Sequence, residues 1–549
     1  MSRTSGFLTC CVTAIVLAGG IVPVQAQNKA VPINVVHAGI DRLYADLDYV
    51  FGLAKEPVAL KNLKDTLDVF FVGVDPKVPG VVQVYVRKGK FNSVLFAPTI
   101  PPPARFRANL RALGIKSQMI ATGGVFSLKG LFIGFLKEGG NVTIIAEDRA
   151  DLVPLKGGNA AFKLALDPKD HDFMASIENE ANQIKDREAA IEELRKQVLP
   201  GLKQRKKETP ARFSLRKLTI DQQLNELKQA YSEASKITLI TNLDPKEKML
   251  VSTSEITALP NTELAKSLDE LAKTPSYFAH IPRSTTEPLS AAINLKLDAL
   301  RQKHVKAFLK ELRPIIQSDL KETGTFSEKS KDYISLSTDI VFDVLDKATE
   351  DGLFDSFVNV HKNESGKHTM IGGTKVDGSV IKAGLEKLKE KAKVEMDAGK
   401  IGDVELHKVT LPDDMTELHE IYGKELVLIL GTSPKAVWYA MGENAEAKLK
   451  EAIEKVGQPA PETDHIVVFV HAKALLWFEL WDAIRTKHKT GNADDRKVAL
   501  DIFKKGADNF DLKVEKVDGT LKGVFTMHEG LLHYAGKVAA KFVKENLTN

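Results

Sequence analysis

The chain has 549 residues, several times the length of a typical domain, so we expect two or more domains. Hydrophobic residues make up 43% and charged residues 27%, and basic and acidic side chains nearly balance at a net charge of +4. This is the composition of an ordinary globular protein, and its weak net charge gives no reason to expect a nucleic-acid partner.

Residues 1–26 have the pattern of a secretory signal peptide. Arg3 supplies a positive start, Phe7 to Ile21 an apolar core, and Val24-Gln25-Ala26 a small-residue cleavage site. The alternative is an N-terminal membrane anchor, for which this apolar run is short. We therefore expect cleavage after Ala26 and export to the periplasm or the cell exterior. No later segment has about 18 uninterrupted apolar residues, so we expect no transmembrane span after cleavage.

Both cysteines, Cys10 and Cys11, lie inside this signal. They lie near the start of the apolar core instead of after it and lack the small preceding residue of a lipoprotein anchor, so we do not expect lipidation. The chain after Ala26 contains no cysteine, which excludes disulfides, thiol nucleophiles and thiolate metal sites there. We expect no cofactor and no metal site.

The first module is predicted to span residues 27–283. Apolar residues recur at helical spacing from Val35 to Leu67, and Val81 to Ala97 predicts a hairpin around a Lys-Gly-Lys turn. A helix at Phe106 and a series of strands as far as Ala146 are expected next, and Ala161 to Leu166 predicts one more strand.

A helical pair is predicted within this module, over residues 170–235. Helical spacing begins at Phe173 and continues to Val198, Pro200-Gly201 interrupts it, and a second helix ends near Tyr231. The pair predicts an antiparallel helical hairpin that is inserted into the sheet.

Residues 284–330 are predicted to form a helical bridge and linker. Leu289, Ile293 and Leu297 recur at helical spacing, so we expect helix from Pro288 to Leu320.

The second module, residues 331–549, contains the clearest local pattern. Phe357 to Val376 predicts a hairpin, and Ile381, Leu385 and Leu388 lie on one face of a helix that Ser379 would cap. Strands, helices, a further hairpin and a final helix follow in the order expected of the first module.

The predicted fold class is α+β, with two tandem modules related by duplication. Each module would be a mixed or antiparallel sheet with helices on one face and an inserted helical pair. Asp48-Tyr49-Val50-Phe51 matches Asp339-Ile340-Val341-Phe342, and the hairpins at Ile237 and Phe510 both follow a helical pair.

Two short motifs suggest catalysis, and neither meets the requirements of its chemistry. His528 and His533 are at i and i+5, whereas the zinc-protease helix needs histidines at i and i+4. Ser379 and Lys382 match the S-x-x-K motif of penicillin-binding proteins and serine β-lactamases, but that family's middle motif is missing. Lys489-Thr490-Gly491, its third motif, lies in a predicted loop.

Asp170-His171-Asp172 has the composition of a metal cluster, yet acids at the start of a helix are also stabilised by the helix dipole. Trp477 and Trp481 are spaced to share one helical face with Leu476 and Leu480. We therefore expect packing in the core in preference to a sugar-binding platform.

The predicted binding residues are Lys203, Arg205, Lys206 and Lys207, at the tip of the helical pair. One interpretation of this basic run is a solvated loop. The other is a surface that contacts an anionic envelope polymer or lipid head groups.

The sequence contains no Walker A loop, dinucleotide-binding glycine motif, nucleophile elbow or EF-hand loop. We predict an exported soluble protein that acts by binding or as a component of the cell envelope. Its partner would be an anionic envelope polymer or another envelope protein. The alternative is an extracytoplasmic hydrolase whose site is assembled from scattered residues.

Overall fold

The structure, a computed structural model, describes residues 33–70, 75–87, 90–98, 117–120, 123–128, 131–136, 142–146, 171–206, 208–322, 327–412, 415–424, 426–456, 465–487 and 493–547. The predicted signal peptide, the helix at Phe106 and the strand at Ala161 lie outside these residues, as does Lys207. The described chain contains both α-helices and strands that pair antiparallel, so the fold is α+β.

The chain divides into two compact units that are not contiguous in sequence. Unit 1 contains Met1–Gly201, Leu224–Ala265 and Thr526–Asn549, and unit 2 contains Leu202–Gln223 and Lys266–Phe525. The division between modules at residues 284–330 stays a prediction.

Unit 1 is built on an antiparallel sheet. Its strands are β1 (Ile33–His37), β2 (Gly80–Arg87), β3 (Lys90–Pro98), β4 (Ser117–Ile120), β5 (Gly123–Leu128), β6 (Leu131–Leu136), β7 (Val142–Ala146), β8 (Phe173–Glu178), β9 (Ala234–Asp244) and β10 (Met249–Ala258). They pair in the order β4-β5-β6-β7-β3-β2-β1-β8-β9-β10. The β2–β3 hairpin confirms the prediction for Val81 to Ala97.

The helices that lie wholly or partly in unit 1 are α1 (Ile40–Ala54), α2 (Pro57–Phe70), α3 (Ile184–Gly201), α4 (Pro210–Glu233), α5 (Glu263–Glu270) and, at the C-terminus, α13 (Glu529–Asn546). Phe51 of α1, Ala59 of α2 and Ala540 of α13 are buried together in one apolar cluster. Glu56 accepts hydrogen bonds from Lys537 and Lys544 of α13, so α13 is joined to the α1–α2 connection by charge as well as by packing.

Two helices were predicted to start too early. Val35 belongs to β1, which pairs with a strand on each side, and Phe173 belongs to β8, which lies between β1 and β9. Short apolar runs fit both the helical and the strand period, and pairing with neighbouring strands decides between them. Helix begins only at Ile40 and Ile184.

The predicted antiparallel helical pair is confirmed by the contacts between α3 and α4. Arg195 Nη1 donates to Asn225 Oδ1 at 2.9 Å, and Lys228 Nζ donates to Glu192 Oε1 at 3.2 Å. Arg187, only 1% exposed, donates to the Ser232 carbonyl at 2.6 Å.

Unit 2 is also built on an antiparallel sheet. Its strands are β11 (Leu289–Lys296), β12 (Leu353–Lys362), β13 (His368–Thr374), β14 (Val394–Ile401), β15 (Val404–Thr410), β16 (Val427–Thr432), β17 (Val437–Gly442), β18 (Ile466–Lys473), β19 (Asn509–Val517) and β20 (Thr520–His528). They pair in the order β14-β15-β16-β17-β13-β12-β11-β18-β19-β20.

The remaining helices are α6 (Ala299–Glu322), α7 (Glu328–Asp351), α8 (Ser379–Lys389), α9 (Thr416–Tyr422), α10 (Ala445–Val456), α11 (Ala474–Lys487) and α12 (Ala493–Phe503). Ile381, Leu385 and Leu388 of α8 are at most 1% exposed, which confirms the face predicted from their spacing. Trp438 is the largest fully buried side chain among the described residues, and the ring of Phe278 stands edge-on to it at 5.2 Å between centroids.

The predicted helix at Pro288 is wrong over its first part. Leu289–Lys296 forms β11, in the middle of the unit 2 sheet, and α6 begins at Ala299. Apolar residues at 289, 291, 293 and 295 satisfy alternation as well as helical spacing, so the period alone was ambiguous.

Two side-chain predictions in unit 2 are also wrong. The residue before α8 is Gly378, and the Asp377 carboxylate accepts from the Ser379 amide at 2.9 Å, so Asp377 caps this helix instead of Ser379. Trp477 is 47% exposed while Leu476 is buried, because neighbouring helical residues point about 100° apart. The side chain of Trp481 is not described.

No helix among the described residues is both long enough and apolar enough to cross a membrane.

Candidate functional site

The predicted basic site lies in the loop between α3 and α4, and its backbone is fixed by a charged clamp. Arg216 of α4 donates to both carboxylate oxygens of Glu208, at 2.8 and 2.7 Å, and to the Lys203 carbonyl at 2.9 Å. Glu208 also accepts from the Arg205 amide at 2.8 Å. These hydrogen bonds, first that of Arg216, lower the pKa of Glu208 to about 2, so the clamp is charged at neutral pH.

The lysines of this loop face solvent. Lys203, Arg205 and Lys206 are exposed, and neither lysine has a carboxylate within 4.0 Å among the residues that the structure describes. Lys207 lies outside them. Arg212, further along, instead forms an ion pair with Asp319 of α6. We define the basic tip as Lys203, Arg205 and Lys206.

A second polar feature crosses the central strands of unit 2. Ser290 of β11 lies directly opposite His471 of β18, which lies directly opposite Asp511 of β19. His471 Nδ1 and Asp511 Oδ1 are 2.6 Å apart, while His471 Nε2 is buried and has no hydrogen-bond partner among the residues that the structure describes. We call these three residues the polar row.

The segment from Thr274 to Ser284 runs over β11 and β12 and accounts for part of the buried polarity of these two strands. Asn294 donates to the Thr274 carbonyl at 2.8 Å, Asp355 accepts from the Tyr277 amide at 2.6 Å, and Ser290 Oγ accepts from the Ser284 amide at 3.1 Å. These bonds give Ser290 a structural role, but none of them involves His471.

Unit 1 contains a charged cluster on α1. Arg42 Nε donates to Asp172 and lies 3.8 Å from Asp46, and Asp172 also accepts from the Leu243 amide. Burial, and next the negative charge of Asp172, raise the pKa of Asp46 to about 7, against the attraction of Arg42. The Asp172 predicted as a doubtful metal ligand is therefore the partner of an arginine.

A further cluster consists of Asp397 of β14 and of Glu405 and His407 of β15. One ligand-type atom from each lies within 4.8 Å of the other two. Burial lowers the pKa of His407, whose side chain is fully buried.

The two short motifs that suggested catalysis gain no support from the structure around them. His528 precedes α13 and His533 lies on it, at the spacing that was unsuited to zinc. Lys489-Thr490-Gly491 lies outside the described residues.

Comparison with protein-family models finds no match to this chain, and comparisons with curated proteins and with solved structures find none either.

Sequence reasoning missed both the polar row and the Asp397 cluster. The members of the polar row belong to three separate strands, and only the register of β11, β18 and β19 brings them together. One signal was available, because His471 interrupts the apolar run Ile466 to Val470 at its end and Ser290 interrupts another. Single polar residues in strands buried on both faces mark positions where the interior holds a hydrogen bond.

Proposed function

We propose that this is an exported binding protein or cell-envelope component, and that it binds an anionic envelope polymer through the basic tip. The signal-like residues 1–26 support export. The cysteine-free remainder is consistent with a fold that is stabilised by packing alone.

The observation that carries this proposal is the Arg216–Glu208 clamp. It holds the backbone of Lys203 and Arg205 in place, while the ammonium groups of Lys203 and Lys206 stay in solvent. A loop that is ordered before binding loses less conformational entropy when a ligand arrives. A merely solvated loop needs no such clamp.

The proposal is tested by salt-gradient elution from an anionic polysaccharide matrix. Reversing both charges in Lys203→Glu/Lys206→Glu should move elution to clearly lower salt, because exposed charges act over a Debye length of about 10 Å at 0.1 M. The matched control is Lys504→Glu/Lys505→Glu, which reverses two adjacent exposed lysines at the end of α12 and gives the same net charge.

Two results would contradict the proposal. Equal shifts in both double variants would show that net charge alone governs retention. Unchanged elution of Lys203→Glu/Lys206→Glu would show that the basic tip does not bind the matrix.

We further propose that the units descend from one duplicated module. The order β4-β5-β6-β7-β3-β2-β1-β8-β9-β10 becomes the order of unit 2 when ten is added to each strand number. A helical pair follows β1 and β11, and another follows β8 and β18. Chains that merely share an α+β composition have no reason to agree in the order of every strand.

This correspondence requires a different sequence match from the one predicted. It places α1 opposite α6, so Asp48-Tyr49-Val50-Phe51 on α1 cannot correspond to Asp339-Ile340-Val341-Phe342 on α7. The better match is Ile40-Asp41 at the start of α1 with Leu297-Asp298 just before α6.

A hydrolase is the second candidate, and the polar row favours it. An aspartate on one imidazole nitrogen is part of the arrangement used in serine acyl transfer, and Ser290 lies opposite His471 in the strand register but makes no hydrogen bond to its Nε2. Ser290 is only 1% exposed, so the covering segment would have to move. Covalent labelling of Ser290 by a fluorophosphonate, lost in His471→Asn, would support this candidate, whereas an unlabelled Ser290 would leave the row a structural element.

A further inference from the structure

The cluster of Asp397, Glu405 and His407 lies on the β14–β15 hairpin and combines buried and accessible ligand atoms. His407 is fully buried, and its Nδ1 is 3.8 Å from Asp397 Oδ1. The side chains of Asp397 and Glu405 are 74% and 43% exposed. An ion could therefore reach the cluster from solvent, with the histidine as its fixed inner ligand.

A residue outside the cluster sets the orientation of His407. The His407 Nε2 lies 3.0 Å from Thr432 Oγ1, and the His407 Nδ1 accepts a hydrogen bond from the Asp397 amide at 3.2 Å. Because Nδ1 accepts, the proton is on Nε2, which donates to Thr432. Metal-binding histidines are oriented in this way, by a hydrogen bond on the nitrogen that does not bind the ion.

The negative charge of the cluster is not fully compensated, so the binding of a further cation would be favourable. Two carboxylates and an imidazole lone pair converge. Lys382 of α8 places its Nζ 2.9 Å from Glu405 Oε2, and Lys400 acts on Glu405 from a longer distance. Among the described residues, only Lys382 forms an ion pair with one of these two carboxylates, so Asp397 has no lysine or arginine within 4.0 Å. The second oxygen of Glu405 and the Asp397 carboxylate can accept an ion, while His407 Nδ1 would have to exchange its hydrogen bond from the Asp397 amide for it.

We propose that Asp397, Glu405 and His407 bind a divalent transition-metal ion, with Zn²⁺ as the best match. Zn²⁺ accepts imidazole nitrogen and carboxylate oxygen together, whereas Mg²⁺ and Ca²⁺ prefer oxygen alone. The fourth position would hold water, because both carboxylates are open to solvent.

The ligand atoms, which lie within 4.8 Å of one another, must move closer together to form this site. In a tetrahedral zinc site they lie about 3.3 Å apart, given bond lengths of about 2.0 to 2.1 Å. Asp397 stands at the register shift of β14 between Glu395 and Gly399, where the ladder places no pairing constraint on it. The ion would replace the Asp397 amide as the partner of Nδ1.

Zinc titration of the tag-free full-length chain by isothermal calorimetry, with Co²⁺ absorption as a second readout, tests the proposal. We expect one ion per chain, and affinity at least about tenfold weaker in Asp397→Asn and in Glu405→Gln, since each removes a ligand but leaves the buried histidine in place. Thr432→Val should weaken binding by about 10- to 100-fold, as loss of such orienting partners does.

The effect of Lys382→Met on zinc affinity distinguishes a metal site from a merely structural cluster. Removing a competing cation should strengthen zinc binding about twofold to fivefold, the range of an exposed ion pair, although a structural ion pair is lost. Glu446→Gln is the control, because Glu446 pairs with Lys408 on the same strand and lies outside the cluster. The proposal is overturned if the chain binds no stoichiometric zinc, or if Asp397→Asn and Glu405→Gln bind it as well as Glu446→Gln does.

Discussion

The strands of units 1 and 2 follow one order, but their central strands bury different polar residues. In unit 2, Ser290, His471 and Asp511 lie opposite one another on β11, β18 and β19. In unit 1 the strands β8 and β9, which take the places of β18 and β19, carry the buried residues Ser176 and Thr238 directly opposite each other. A row of polar residues occurs in both units, and only that of unit 2 contains ionisable groups.

This difference shows that strand order is restrained by folding, whereas the polar side chains of the central strands can differ between units. Strand order is set by pairing and by apolar burial, which many side chains share. The polar row needs only a few compatible partners, so its chemistry can differ while the sheet stays the same.

Large-to-small substitutions in the two cores should have the largest effect. Leu385→Ala in unit 2 and Ile191→Ala in unit 1 each remove a side chain that is at most 1% exposed and should cost about 3 kcal/mol. If each unit has its own core, native-state hydrogen exchange should rise mainly in the unit that carries the substitution. Equal loss of protection in both units would contradict separate cores.

Corresponding positions of the two rows should respond in opposite directions. Asp511→Ala leaves the buried His471 Nδ1 without an acceptor and should cost about 2 kcal/mol. Thr238→Val removes a hydroxyl that has no hydrogen-bond partner within the described part of the chain, so it should be neutral or stabilise by up to about 1 kcal/mol. Urea unfolding checks both, and a loss of stability in Thr238→Val would mean that its hydroxyl is bonded.

The Asp46 cluster predicts a pH dependence specific to unit 1. The folded-state pKa of Asp46, about 7, is above its ordinary value of 3.8, so the folded state holds this proton more tightly. The free energy of unfolding should therefore fall as the pH rises from about 4 to about 7.

Asp46→Asn should remove this loss. The variant should be about 1 to 2 kcal/mol more stable than the natural chain at pH 8 and nearly equal at pH 4, less than the full pKa difference because solvent screens the charge. The charged groups around it are Arg42, Asp172 and, through Arg42, Asp244. A variant that is less stable at pH 8 would contradict the account.

The cap of α8 gives the smallest expected effect. Asp377→Ala should cost about 1 kcal/mol because the Ser379 amide loses its acceptor. Ser379→Ala should change stability by only a few tenths, since alanine favours helix. A larger loss of thermal stability in Ser379→Ala than in Asp377→Ala would indicate that Ser379 is the cap.

The sequence predicted those elements whose signal is local. The β2–β3 hairpin and the buried face of α8 follow from turn residues and spacing along a single segment. β1, β8 and β11 were misassigned because each is short and its strand character comes from neighbours distant in sequence. The polar row and the Asp397 cluster are produced by register and by a bulge, which spacing along the chain does not reveal.

A crystal structure of residues 27–549 would test the duplication most directly. We predict that β1 to β10 superpose on β11 to β20 in order, with Ser176 on His471 and Thr238 on Asp511. A structure in which the strand orders differ, or in which these residues fall on opposite faces of their sheets, would contradict it.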